Sequence, residues 1–155
     1  MARVIHLIRH LNPAALEGGP LALDVATVFS SPLLRARRTA EIFFPRHEIQ
    51  FLPELTEVSL GEWEGLAWNE IEARWPELAR EKLNGWRGVN APGAEAWVDF
   101  EARVTTAWRQ ILASPSPCAV VAHAGVNSVL SQLATGRDAL QFSQQYGEVI
   151  SLEIL

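Results

Sequence analysis

Two histidines of this chain stand where chemistry is easily built. His10 follows Arg9 at the end of the aliphatic run Val4-Ile5-His6-Leu7-Ile8, which is short and β-branched enough to be a buried strand. His123 closes a second apolar run, Cys118-Ala119-Val120-Val121-Ala122, and is followed by Ala124-Gly125 and a helical pattern. An imidazole serves as nucleophile or base. A guanidinium offers a fork of donors matched to phosphate or carboxylate oxygens. A second candidate fork, Arg35, falls in the first turn of a predicted helix, off the apolar stripe of Leu33, Ala36, Ala40 and Phe43. Helical side chains tilt toward the N-terminus, so Arg35 reaches back toward the strand ends. Parallel α/β sheets bind ligands just past the carboxyl ends of their strands. There the two Arg, the two His and a helix N-terminus suit an anion with several oxygens, a phosphoryl group best of all.

The elements that must position these groups are legible as patterns. Ala26-Thr27-Val28-Phe29 reads as a second strand, and Ser31 and Pro32 supply an N-cap and a first helical residue. The helix they open stops at Phe44, before Pro45. Arg37 and Arg38 fall on its surface, with Glu41 at helical spacing from both. Glu48 to Leu52 is a weaker strand. The loop Pro53 to Gly65 carries four carboxylates and two glycines. Short helices follow at Trp68 to Arg74 and Glu77 to Leu83. A long helix runs from Glu95 to Leu112, with Trp97, Phe100, Val104, Ala107, Trp108 and Ile111 on one face. Cys118 to Ala122 reads as a central parallel strand. The helix after His123 ends at Gly136, a natural C-cap, and Val149 to Leu155 is the last strand. Five of the six tryptophans lie between Trp63 and Trp97. They either build a small satellite core or form a lid whose rings contact a substrate, and the two are compatible.

Composition bounds the function. The chain has 155 residues, 48% of them hydrophobic, with a net charge of −5. That fits one folded domain and argues against a general nucleic-acid or anionic-membrane surface. A single cysteine, Cys118, forms no intrachain disulfide and no zinc cluster, and its strand position makes it a packing residue. His6 reads as a structural histidine and His47 as a turn residue. No run approaches the ~20 apolar residues of a membrane span. The first apolar run is too short, and broken too early by Arg9 and His10, for a signal peptide. The expected setting is cytoplasmic, with no cofactor and no metal.

Four segments carry a resemblance. Arg9-His10-Leu11 is similar to the Arg-His-Gly motif of the histidine phosphatase superfamily, also called phosphoglycerate mutase-like. Ser31-Pro32-Leu33-Leu34-Arg35-Ala36-Arg37-Arg38-Thr39-Ala40 resembles its Ser-x-x-x-Arg-Ala-x-x-Thr-Ala motif. Leu55, Glu57, Gly61 and Gly65 fit its acidic loop, and His123-Ala124-Gly125 its late His-x-Gly. The matches come in family order across nearly the whole chain. Trp63-Glu64-Gly65 and Pro92-Gly93-Ala94-Glu95 look most like the α-ribazole phosphatases. The short phosphohistidine-protein phosphatases fit less well, because they usually lack such an acidic loop. The implied fold is a three-layer α/β sandwich with a mostly parallel central sheet flanked by helices, in one domain over residues 1–155. A helical, lid-like insertion is expected at about 58–94.

The resemblance implies a phosphomonoesterase working through a phosphohistidine, with a phosphorylated small molecule, such as α-ribazole 5′-phosphate, as substrate. His10 is the implied nucleophile. Arg9, Arg35 and His123 bind the non-bridging oxygens. Glu57 is the acid and then the base, with Glu62 and Glu64 as fallbacks. Three departures stand out. Leu11 replaces the family's Gly. Leu16 replaces an Asn, whose phosphate contact Asn12 is placed to take over. Leu11 to Val25 barely supplies the dozen or more residues that a parallel crossover normally takes, where family members usually carry a full crossover helix. A mutase and a catalytically weak phospho-ligand binder are the competing readings, and the oligomeric state is open.

Overall fold

Strand β1 (Arg3–Arg9) buries Ile5 and Leu7 on one face and Ile8 on the other. The computed structural model, which describes residues 2–155, pairs it on both sides. It runs parallel to β4 (Cys118–Ala122) and antiparallel to β5 (Val149–Ile154). Strand β2 (Thr27–Ser30) lies parallel to β4 on the far side, and β3 (Ile49–Phe51) adds a parallel edge. The strand order is β3-β2-β4-β1-β5. The sheet is therefore mostly parallel and flanked by helices, as the sequence leads one to expect. Central β4 is buried at every residue, which explains its unbroken apolar run.

The register does the positioning. Arg9 stands opposite Ala122, and Ser30 opposite Val121. The three parallel strands thus end nearly level, and the next residue of each is His10, Ser31 or His123. His10 N donates to Ala122 O at 3.0 Å, and Ser31 N to Val121 O at 2.9 Å, so the ladder holds these residues past the strand ends.

On one face of the sheet, helix α1 (Leu34–Phe43) packs Ala36, Ala40 and Phe43 on Ile8, Val28, Ala119 and Val121. The link between β1 and β2 forms no helix. Its Leu11, Leu21, Leu23 and Val25 join the same cluster, so this irregular link still contributes apolar residues to the core. Helix α5 (Ala124–Thr135) follows β4 and ends on Gly136 in the left-handed conformation (φ 77°), the predicted C-cap. At the start of β1, Arg3 Nη2 donates to Ile111 O at 2.8 Å, which ties the strand to the end of helix α4 (Trp97–Leu112).

One helix start differs from expectation. Ser31 and Pro32 do not open α1; Leu33, extended at φ −63° and ψ 139°, is its N-cap. Ala36 N and Arg37 N both donate to Leu33 O. Ser31 Oγ does accept from Leu33 N at 3.2 Å, as a cap would, but the extended backbone at Leu33 delays the helix to Leu34, and the hydroxyl also pairs with His123.

The chain divides into two compact units, one holding residues up to Glu57 with Arg103–Leu155, the other Val58–Ala102. The second unit contains α2 (Trp68–Arg74) and α3 (Pro76–Asn84). Its own core gathers Trp63, Ile71, Ala79 and Ala91, with Leu66, Trp68 and Trp75 against them. Among the described residues no helix is long and apolar enough to cross a membrane.

Candidate active site

His10 is fixed by its own neighbour. Its Nδ1 lies 2.7 Å from Leu11 O. A carbonyl only accepts, so Nδ1 carries the proton and Nε2 keeps its lone pair. Burial is the main reason that its pKa is lowered, with the nearby Arg35 and Arg9 charges adding to it against the Leu11 hydrogen bond. The neutral form of the ring is thus favoured. Leu11, the departure from the family's Gly, is tied into its surroundings at three points. Its carbonyl orients His10, its N donates to Thr39 Oγ1 at 2.9 Å, and its side chain turns into the α1 cluster. Gly147 makes room for it: at φ +72° it has a conformation unfavourable for other residues, and an added Cβ would lie 3.0 Å from Leu11 Cδ2.

His123 lies beside His10, with ring centroids 5.2 Å apart. Its Nε2 is 2.8 Å from Ser31 Oγ, while its Nδ1 is buried without a partner. Burial above all, then the charges of Arg35, His10, Arg9 and Arg103, lower its pKa to about 3.

Two cations face these rings. Arg9 Nη1 donates to Gln144 O at 2.7 Å, and its Nε is buried without a partner. Arg35 stands in the first turn of α1, where its charge depresses both histidines. Thr39 Oγ1 donates to Arg35 O at 2.7 Å, so one hydroxyl ties the Arg35 turn to the Leu11 main chain. Cations with no carboxylate partner among the described residues, beside neutral imidazoles, make a site with a strong preference for anions.

Glu57 reaches the residue two after His123. Gly125 N, in the first turn of α5, donates to Glu57 Oε2 at 2.9 Å. An added Cβ at Gly125 would overlap Glu57 Oε1; the Gly of His-x-Gly is there to admit the carboxylate. Arg103 holds the main chain behind it, with Nη1 donating to Glu54 O at 2.9 Å and Nη2 to Glu57 O at 3.2 Å. Asn12 is exposed, and its Oδ1 accepts from Ala14 N at 3.0 Å, leaving only its amide N–H groups for another partner. Glu62 and Glu64 are exposed in the second unit, and Glu64 Oε1 accepts from Leu60 N at 2.7 Å. His6 bonds Ser151 Oγ at 2.7 Å, and exposed His47 sits 3.2 Å from Val25 O. Among the described residues no group of three or more His, Cys, Asp or Glu is placed to hold a metal ion.

Sequence reasoning missed several supporting residues. Ser31 and Thr39 had a signal: each belongs to the ten-residue motif built around Arg35. Arg103, Gln144 and Tyr146, whose ring lies 4.1 Å from Arg9 Cζ, had none, because only the tertiary structure brings them to these partners.

The family model of the histidine phosphatase superfamily (branch 1) matches residues 14–155. The chain belongs to this superfamily. The matched stretch begins after Arg9 and His10, so those two rest on the geometry above. A bifunctional protein of Mycobacterium tuberculosis and an uncharacterized protein of Mycobacterium bovis are each 31% identical over 117 residues, 74% of this chain. The chain spans about a third (32%) of their length. Among solved structures, a putative α-ribazole-5′-phosphate phosphatase of Escherichia coli superposes with a TM-score of 0.84 at 23% identity, over 100% of this chain and 92% of that one. A mycobacterial glucosyl-3-phosphoglycerate phosphatase gives 0.78 at 22%, over 99% and 91%. A phosphoglycerate mutase of Thermus thermophilus gives 0.67 at 27%, over 96% and 92%. These likenesses establish the fold, and the reaction rests on the site.

Proposed function

We propose that this protein is a phosphomonoesterase that hydrolyses small-molecule phosphate esters through a phosphohistidine at His10. Superfamily membership supports a phosphatase or other phosphoryl-transfer enzyme. The observation that carries the finer reading is the 2.7 Å bond from His10 Nδ1 to Leu11 O, which leaves Nε2 as the attacking atom beside the guanidinium groups of Arg9 and Arg35. In the first step His10 Nε2 forms a bond to phosphorus as the ester oxygen leaves. Arg9, Arg35 and His123 bind the non-bridging oxygens, where transition-state charge needs fixed donors. Asn12 adds a donor through its amide. Glu57 gives its proton to the leaving oxygen. In the second step Glu57 takes a proton from water, which attacks phosphorus, releasing inorganic phosphate and restoring His10. α-Ribazole 5′-phosphate is a candidate substrate, because the Escherichia coli fold neighbour is named for that ester.

Quenching a turnover mixture in alkali with a labelled ester tests this. Label is expected on His10, and His10→Ala should lose both label and at least ~10⁴-fold in rate while remaining folded. Label on Cys118 or a serine would sink the assignment. Phosphate binding without turnover of any ester in a metabolite screen would move the protein to a binding role. Transfer to a second metabolite in preference to water would make it a mutase.

A further inference from the structure

We propose that Tyr146 is a positioning residue that fixes the phosphate-facing edge of Arg9; the inference rests on Arg9 being the anion ligand assigned above. Tyr146 is 48% exposed, so burial of its ring does not account for its place. What it does contact is telling. Its ring lies 4.1 Å from Arg9 Cζ and 5.5 Å, centroid to centroid, from His10. The loop that carries it is locked to β1. Gly147 N donates to Arg9 O at 3.0 Å and His10 O at 3.2 Å, and Arg9 N donates to Glu148 O at 3.2 Å. Buried Gln144 donates from Nε2 to Leu7 O and to Glu148 O, both at 2.9 Å, and accepts from Asn127 Nδ2 at 2.9 Å.

The Arg9 guanidinium is therefore held by two constraints of different kinds. Nη1 is bonded to Gln144 O at 2.7 Å, and one face rests on the Tyr146 ring. A planar ion gripped at one nitrogen and on one face is restricted in its rotation. Its Nε is buried and unpartnered, and Nη2 makes no hydrogen bond among the described residues. Nη2 is the donor left to meet an anion. The exposed aromatic ring thus presets a flexible side chain, which strengthens phosphate affinity and transition-state binding.

The test uses inorganic phosphate binding by calorimetry together with kcat/KM for p-nitrophenyl phosphate. Tyr146→Leu keeps bulk and removes the π face; Tyr146→Phe keeps the face and removes the hydroxyl. Leu should weaken phosphate binding and lower kcat/KM about 3–10-fold, while Phe restores both to within about 2-fold. In an Arg9→Ala background Tyr146→Leu should have no further effect, and in an Arg35→Ala background its full effect. Melting curves identify any variant that has lost its fold. A Leu variant equal to wild type, a Phe variant as weak as Leu, or a loss that persists without Arg9 would each overturn the inference. Phosphate bound through Arg9 and Tyr146 with no ester turned over would support it while removing the phosphatase reading. Phosphate affinity indifferent to Arg9→Ala would remove both.

Discussion

The strand-end cluster of the first unit and the tryptophan cluster of the second are both conspicuous in the sequence, and they use their residues in opposite ways. At the strand ends, charge is gathered and left unanswered. Arg9 and Arg35 face two imidazoles whose pKa values burial and those cations depress. His123 Nδ1 and Arg9 Nε are buried without partners. In the second unit the rings answer one another. Trp63 meets Trp68 edge-on at 6.1 Å and Trp75 at 6.2 Å, and Trp68 lies 6.4 Å from Trp86. Trp63 Nε1 and Trp97 Nε1 are also buried without hydrogen-bond partners, but both are neutral indole donors, and the Arg87 charge lies over the Trp97 ring at 5.8 Å. The lesson is that unanswered charge, rather than density of unusual residues, distinguishes a reactive site from a packed one.

The comparison breaks most visibly if the acid is misplaced. Glu57→Gln keeps the shape and removes the proton source, so kcat/KM for an alkyl phosphate should fall about 10²–10⁴-fold. p-Nitrophenyl phosphate, whose leaving group needs no proton, should lose far less. Equal losses on both would reduce Glu57 to a positioning role, and no loss would shift the role to Glu62 or Glu64 in the second unit.

Gly125→Ala tests the same carboxylate without touching it. The new Cβ must displace Glu57 from Gly125 N, and the expected result is a loss of about 10–10²-fold on alkyl phosphates, consistent with misplacing a catalytic group by an ångström or so. Activity unchanged in that variant would mean that the bond from Gly125 N is dispensable.

A third effect appears in stability. His123 stays neutral in the fold down to about pH 3, whereas in the unfolded chain it takes up a proton near the ordinary histidine value of about 6.5. Its neutral burial is therefore fully tolerated above about pH 6.5, and stability falls as pH drops from there toward 3, by about 2 kcal/mol at pH 5. Urea melts in phosphate-free buffer should show this slope, and His123→Asn should flatten it. Identical slopes would place the neutral histidine elsewhere.

The smallest effect belongs to the second unit. Trp86 is 45% exposed, with Lys82 Nζ 4.6 Å from its ring centre. Trp86→Ala should cost about 1 kcal/mol of stability or less and change kcat/KM for p-nitrophenyl phosphate less than about 2-fold. A large rise in KM confined to bulky esters would instead assign the tryptophans to substrate contact and blur the contrast.

Much of this was open to a reader of the sequence alone. Strands and helices were set by apolar period, and four motifs in order were enough to carry the superfamily and to single out His10, Arg35, Glu57 and His123 as candidates. These are local signals, because a side chain's period and its distance along the chain from a strand end are properties of the chain itself. The missing crossover helix was equally legible in the length of Leu11 to Val25. Tertiary structure alone decided the rest. Ser31 looks like a helix cap by type, yet the register of β2 on β4 brings it to His123. Arg103, Gln144 and Tyr146 reach the site from positions far along the chain from Arg9 and Glu57, through contacts that no spacing encodes. Whether a charge is answered or left open depends on which partners the fold brings within a few ångströms, and that is settled only when the strands have chosen their neighbours.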